Sequence, residues 1–156
     1  MTVIAYRDGI IAADTLTSGG GMKMGYKRKI AKNKDGDVFG SSGVGGWCSA
    51  IRQWFEEGEE GPVPTIAQEA TGDDTGKAMI IRAAQPTIVQ MLFSNPRFYP
   101  DTFTIRSDVG MAIGSGWAEA MGAMHAGADA LGAVRAAIAL DEACGGSVDW
   151  ERLGWE

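Results

Sequence analysis

The chain has 156 residues, 45% of them hydrophobic and 22% charged, with a formal net charge of −6. That size and balance fit one soluble globular domain with a real core and exclude a disordered chain. The acidic total, with basic residues grouped only at Lys27, Arg28 and Lys29, lacks the basic face that phosphate neutralisation needs, so no nucleic-acid partner is expected.

No apolar run approaches the roughly 20 residues of a membrane helix, and no charged-then-apolar leader precedes the first element. Two cysteines, Cys48 and Cys144, are too few for a disulfide framework and read as reduced thiols. One histidine and two distant cysteines give no zinc spacing. No metal, cofactor or membrane is expected, and the cytoplasm is the expected location.

The first strand, TVIAYR, starts directly after Met1. Asp8-Gly9 is a hairpin turn, and IIAAD returns as a second strand whose apolar run predicts cover on both faces. Asp14 ends it, either as an exposed turn residue or as a rim carboxylate that needs a cation or donors to stay ionised. A Gly-rich loop at 18–21 leads into MGYKRKIAK, predicted as one strand over 24–32. Within it Lys29, taken on its residues alone, reads as a solvated strand-face lysine. NKDGD is a turn and VFGSS a strand, so two hairpins point to antiparallel pairing.

From Gly43 the period becomes helical. Val44, Trp47, Ile51, Trp54 and Phe55 share one face, and EEGEEG ends the helix. Gly40, Gly43, Gly45 and Gly46 surround this strand-to-helix turn, whose free N–H groups suit an anion or oxyanion. Residues 58–76 read as a polar connector with two prolines. Its GDDTGKA stretch is one residue short of a phosphate loop and has Ala78 in place of the hydroxyl.

KAMIIR, PTIVQMLF and VGMAIGSG read as strands, Ser115 being a candidate N-cap for the next helix. Trp117, Met121, Met124 and His125 mark one helical stripe, with His125 expected in the core. Leu131, Val134 and Ile138 mark another, and its next position is 141. Asp141 is therefore expected to project inward in the last turn, followed by Cys144 and a helix-ending Gly-Gly. CGGSVDW adds a last short strand. Trp150 and Trp155 are candidates either for docking onto a neighbouring subunit or for packing back on the same domain. No internal repeat or linker divides the chain, so residues 1–156 are expected to form one domain.

Taken in order, TVIAYRDGIIAAD, KRKIAK, VFGSSGVGG, AIGSG and DEACGG resemble the N-terminal-nucleophile hydrolases, in particular proteasome β subunits and the HslV peptidase. The resemblance implies an α+β fold, a four-layer αββα sandwich with antiparallel sheets. It also implies a threonine peptidase in which Thr2, after removal of Met1, is the nucleophile and its α-amine the base. Methionine removal is the only maturation step expected. Residue by residue, it matches Lys29 to the catalytic lysine and Asp14 to its carboxylate partner. Gly43 matches the oxyanion donor, and Ser115, Asp141 and Cys144 match the polar set beside the threonine amine.

Two departures stand out. Cys144 replaces a serine, and a thiol is a weaker hydrogen-bonding group. The connector replaces a second long helix, so one helical layer is shortened and ring stacking is put in question. The implied partners are a peptide or unfolded protein substrate and further copies of the chain, a ring among the forms possible; no ATPase partner is legible. The rival readings are a non-catalytic scaffold on the same fold and an amidohydrolase of small amides.

Overall fold

The computed structural model describes residues 2–19, 21–66 and 75–155. Asp8 and Gly9 both take positive φ, 50° and 81°, as a two-residue turn between twisted strands requires. They join β1 (Ile4–Arg7) to β2 (Ile10–Asp14). β3 (Leu16–Gly19) and β4 (Met22–Tyr26) form a separate hairpin. β5 (Ile30–Lys32) and β6 (Val38–Ser42) form the next, closed by Asn33, whose side-chain carbonyl accepts the N–H groups of Asp35 and Asp37.

α1 (Gly45–Glu56) follows at once. β7 (Lys77–Ile81), β8 (Ile88–Phe93), β9 (Asp101–Thr104) and β10 (Met111–Ile113) lead to α2 (Trp117–His125). α3 (Ala130–Leu140), capped by the Asp129 side chain on the Gly132 N–H, and β11 (Val148–Arg152) complete the chain. Among the described residues, no helix is long and apolar enough to cross a membrane.

The strands form a sheet β10-β1-β2-β11, a sheet β5-β6-β7-β8-β9 and the β3-β4 hairpin. Every pairing is antiparallel. β2 is covered on both faces, as its unbroken apolar run predicts. Ala12 packs with Met124, Ala133 and Ala137 from α2 and α3. Ile11 and Ala13 face Ile30, Val38 and Met79 of the second sheet. The far side of that sheet packs Phe39, Ile80 and Leu92 against Trp47, Ile51 and Phe55 of α1. Phe39 and Phe55 stack at 5.1 Å, and each fully buried side chain of this size stabilises by about 1.5–3 kcal/mol.

Several expectations are corrected. Residues 24–32 are not one strand. The Lys27 N–H bonds the Thr15 carbonyl and the Lys29 carbonyl accepts from the Ser41 N–H, so the chain crosses between two sheets at 27–29. Part of the Gly-rich loop is β3, and β9 carried no clear alternation in sequence. His125 is exposed rather than in the core, because the small side chains Ala120, Ala133 and Ala137 let α2 and α3 approach closely without it. Trp117 is likewise exposed. Trp150 and Trp155 are both exposed, and Trp155 also makes contacts within the chain. Its indole N–H bonds the Lys34 carbonyl and its ring lies under Lys32. Of the connector, 67–74 lies outside the described residues, including the first three residues of GDDTGKA.

Candidate active site

The start of β1 and the end of β2 lie side by side at one end of the first sheet. Thr2 sits there, 8% exposed, on the shared wall of two cavities. One, of about 290 Å³, runs between Lys29, Gly43 and α1. The other, of about 910 Å³, runs toward Ser115 and Trp117.

Asp14 is fully buried at the end of β2, where an unpaired carboxylate would be strongly disfavoured. All its bonds are supplied. Oδ1 accepts from the Val3 N–H at 3.1 Å and from Lys29 Nζ at 2.8 Å, and Oδ2 accepts from the Gly145 N–H at 3.0 Å. Lys29, 5% exposed, is therefore not a solvated lysine. The bend before β5 turns it inward onto Asp14, and one carboxylate fixes both the cation and the residue next to Thr2.

On the other side, the Thr2 N–H donates to Ser115 Oγ at 3.3 Å, and the Ser115 hydroxyl donates to the Thr2 carbonyl at 3.4 Å. The Gly116 N–H donates to the same carbonyl at 3.2 Å. Gly114 permits this approach. Its φ is 96°, and a Cβ there would lie 2.1 Å from the Thr2 carbonyl oxygen. Gly43, with φ 136°, makes the sharp exit from β6, and a Cβ on it would strike Gly76.

Asp141 does not lie in the last helical turn. α3 stops at Leu140 and Asp141 is its extended C-cap, because its carboxylate bonds the Ala143 N–H at 2.9 Å instead of continuing the helix. Cys144 and the Gly-Gly pair thus belong to the turn beyond the helix. Asp141 is half-buried and is held below the usual carboxylate range by that N–H first, with bonds from Ser115 and Cys144 adding to it. The Cys144 thiol donates to Asp141 at 3.5 Å and lies 3.9 Å from Ser115 Oγ. Burial, then the Asp14 charge, pushes its pKa up to about 12, so it stays a neutral thiol.

The fold thus brings Thr2, Asp14, Lys29, Gly43, Ser115, Asp141 and Cys144 to one end of the sheets. In the sequence Gly114, Gly116 and Gly145 stand out only as parts of AIGSG and DEACGG, with no role for their own backbone groups legible there. Among the described residues, no group of His, Cys, Asp and Glu is arranged to hold a metal. A hydroxyl, a nearby ammonium and a cleft are what the arrangement offers: nucleophilic attack without histidine.

No protein-family model matches the chain, and no curated protein matches it. Solved structures do. Thiobacillus denitrificans BPH, alone and in complex with epoxomicin, aligns at a TM-score of 0.64 and 21% identity over 98% of this chain and 97% of that one. Eukaryotic HslV from Trypanosoma brucei aligns at a TM-score of 0.64 and 16% identity over 99% of both chains. With its antiparallel sheets and, among the described residues, three helices, the chain has the HslV-like fold.

Proposed function

We propose that the chain is a threonine-type endopeptidase of the proteasome and HslV kind, with Thr2 as nucleophile once Met1 is removed. The observation that carries this reading is the Asp14 carboxylate. It holds the Lys29 ammonium and the Val3 N–H together, beside a residue whose hydroxyl needs exactly such a cation to ionise.

Thr2 Oγ attacks the scissile carbonyl and its proton passes to the Thr2 α-amine, whose ordinary pKa near 7.7 suits a base at neutral pH. Lys29 lowers the free energy of the developing alkoxide. The Gly43 N–H receives the oxyanion, a donor of a type worth about 10²–10³ in rate. The intermediate collapses as the α-ammonium returns the proton to the leaving amine. Water, with the same amine as base, then releases the ester. Ser115 orients the amine through its bond to the Thr2 nitrogen, and Asp141 and Cys144 hold Ser115.

The apolar layers described above support a four-layer αββα sandwich, α2 and α3 on one side and α1 on the other, over one domain of residues 1–156. The substrate is a peptide or unfolded protein, the working form an oligomer of this chain, and the setting the cytoplasm.

The test is an intact mass spectrum before and after incubation with a peptide epoxyketone, which bonds both the hydroxyl and the free amine of an N-terminal threonine. A chain lacking Met1 that gains one inhibitor, and fails to do so as Thr2→Ala, is the expected result. A chain that keeps Met1 and gains nothing overturns the proposal in favour of a non-catalytic scaffold. Hydrolysis of small amides but not of peptides would move it to an amidohydrolase.

A further inference from the structure

The 290 Å³ cavity beside Thr2 is lined by four basic residues, Lys27, Arg28, Lys29 and Arg52, and by one acidic residue, Glu56. Three of the cations are matched. Lys29 is bound to Asp14, Arg28 to Glu151, and Arg52 to Glu56 at 3.0 Å. Lys27 differs. Its ammonium bonds the Gly45 carbonyl at 3.3 Å, a neutral acceptor, and among the described residues no carboxylate lies within ion-pair distance of it.

A second feature points the same way. Gly45, on the cavity wall, opens α1, whose N-terminus has no side-chain cap and no acidic residue in its first turn. The positive end of the helix dipole is thus uncompensated where Lys27 lies. The adjoining cavity, by contrast, is walled by Met91, Phe93, Phe103 and Trp117, with Lys77 its one cation.

We infer that the cavity beside Thr2 receives an acidic side chain, Asp or Glu, on the substrate residue that supplies the scissile carbonyl, with Lys27 as the recognising cation. The inference rests on the peptidase reading. Thr2 and Gly43 line both cavities, whereas Lys29, the cation that steadies the attacking oxygen in that reading, lines only the smaller one, so a carbonyl held among all three carries its own side chain there. A tethered carboxylate there meets Lys27 and the start of α1 together.

The experiment uses the full chain and a panel of acetyl-tripeptide coumarylamides that differ only in the last residue: Glu, Gln, Leu or Arg. The Glu substrate should exceed the Gln substrate in kcat/KM by about tenfold or more, the scale of one charge-assisted hydrogen bond. Added salt should narrow that gap. Lys27→Gln should bring the Glu/Gln ratio close to one, and Lys27→Glu should favour Arg over Glu. Each ratio is taken on one sample, so a partly unfolded variant does not disguise the result.

Turnover of Leu or Arg with Glu no better than Gln overturns the inference and leaves the peptidase reading standing. A Glu preference that survives Lys27→Gln overturns the role of Lys27. No turnover of any substrate, with no epoxyketone adduct on Thr2, overturns both.

Discussion

The two flanks of Thr2 are built in opposite ways. On one, Asp14 and Lys29 are a buried ion pair whose carboxylate is fixed by backbone N–H groups from Val3 and Gly145. On the other, Ser115 and Asp141 lie at the rim above the buried Cys144, joined by contacts of 3.3–3.9 Å through a hydroxyl and a thiol. A buried charge pair is all or nothing, because removing one partner strands the other where water cannot reach it. A rim cluster can lose a member and let solvent take its place. One flank therefore couples folding to the site, and the other tunes it.

The sharpest way to break the contrast is Asp14→Ala. It leaves the Lys29 ammonium buried without a counter-charge, and destabilisation of about 3–5 kcal/mol is expected in urea unfolding. Lys29→Met should cost a similar amount, and under the proposed mechanism it should also remove turnover by about 10²–10³, as loss of a charge-stabilising group does. The double variant Asp14→Ala/Lys29→Met removes both charges. It should recover much of the stability and none of the turnover, and strict additivity of the two single effects would refute the coupling.

Ser115→Ala tests the rim. The lost bonds are long and the residue is exposed, so stability should fall by less than about 1 kcal/mol. Turnover should still drop about ten- to hundredfold, because the Thr2 amine loses its orienting partner. A stability loss as large as that of Asp14→Ala would mean that the two flanks are not different in kind.

The same contrast explains what the sequence made legible. Local signals located the first hairpin, α1 with its Trp47, Ile51 and Phe55 face, and the two-sided burial of β2, because period and turn chemistry act over a few residues. The site was harder. Lys29 looks solvated in YKRKIA, and only the crossing at 27–29, fixed by bonds to Thr15 and Ser41 far along the chain, turns it inward. The stripe predicts only that Asp141 projects inward, and the helix ends before reaching it. Its approach to Cys144 is set instead by the turn that its bond to the Ala143 N–H forms. His125 was misjudged because an apolar stripe says which residues share a face, not which of them the neighbouring helix covers. Donors such as Gly145 and Gly116 act through backbone and leave almost no trace in side-chain patterns.

The smallest expected effect concerns pH and again separates the flanks. The Asp141 carboxyl titrates below its ordinary range in the folded protein, chiefly because it accepts the Ala143 N–H. Its contribution to stability is therefore complete above the unfolded-state pKa near 3.9 and disappears as pH falls through the lower folded value. Solvent screening at this half-exposed site limits it to a few tenths of a kcal/mol, roughly what exposed pairs give. Asp141→Asn should thus melt slightly below the parent at pH 7, and the gap should narrow as pH falls through the lowered folded value and the carboxylate is neutralised. A gap that persists unchanged in acid would show that the carboxylate charge is not what steadies the rim, and that the shape of the turn beyond α3 does so alone.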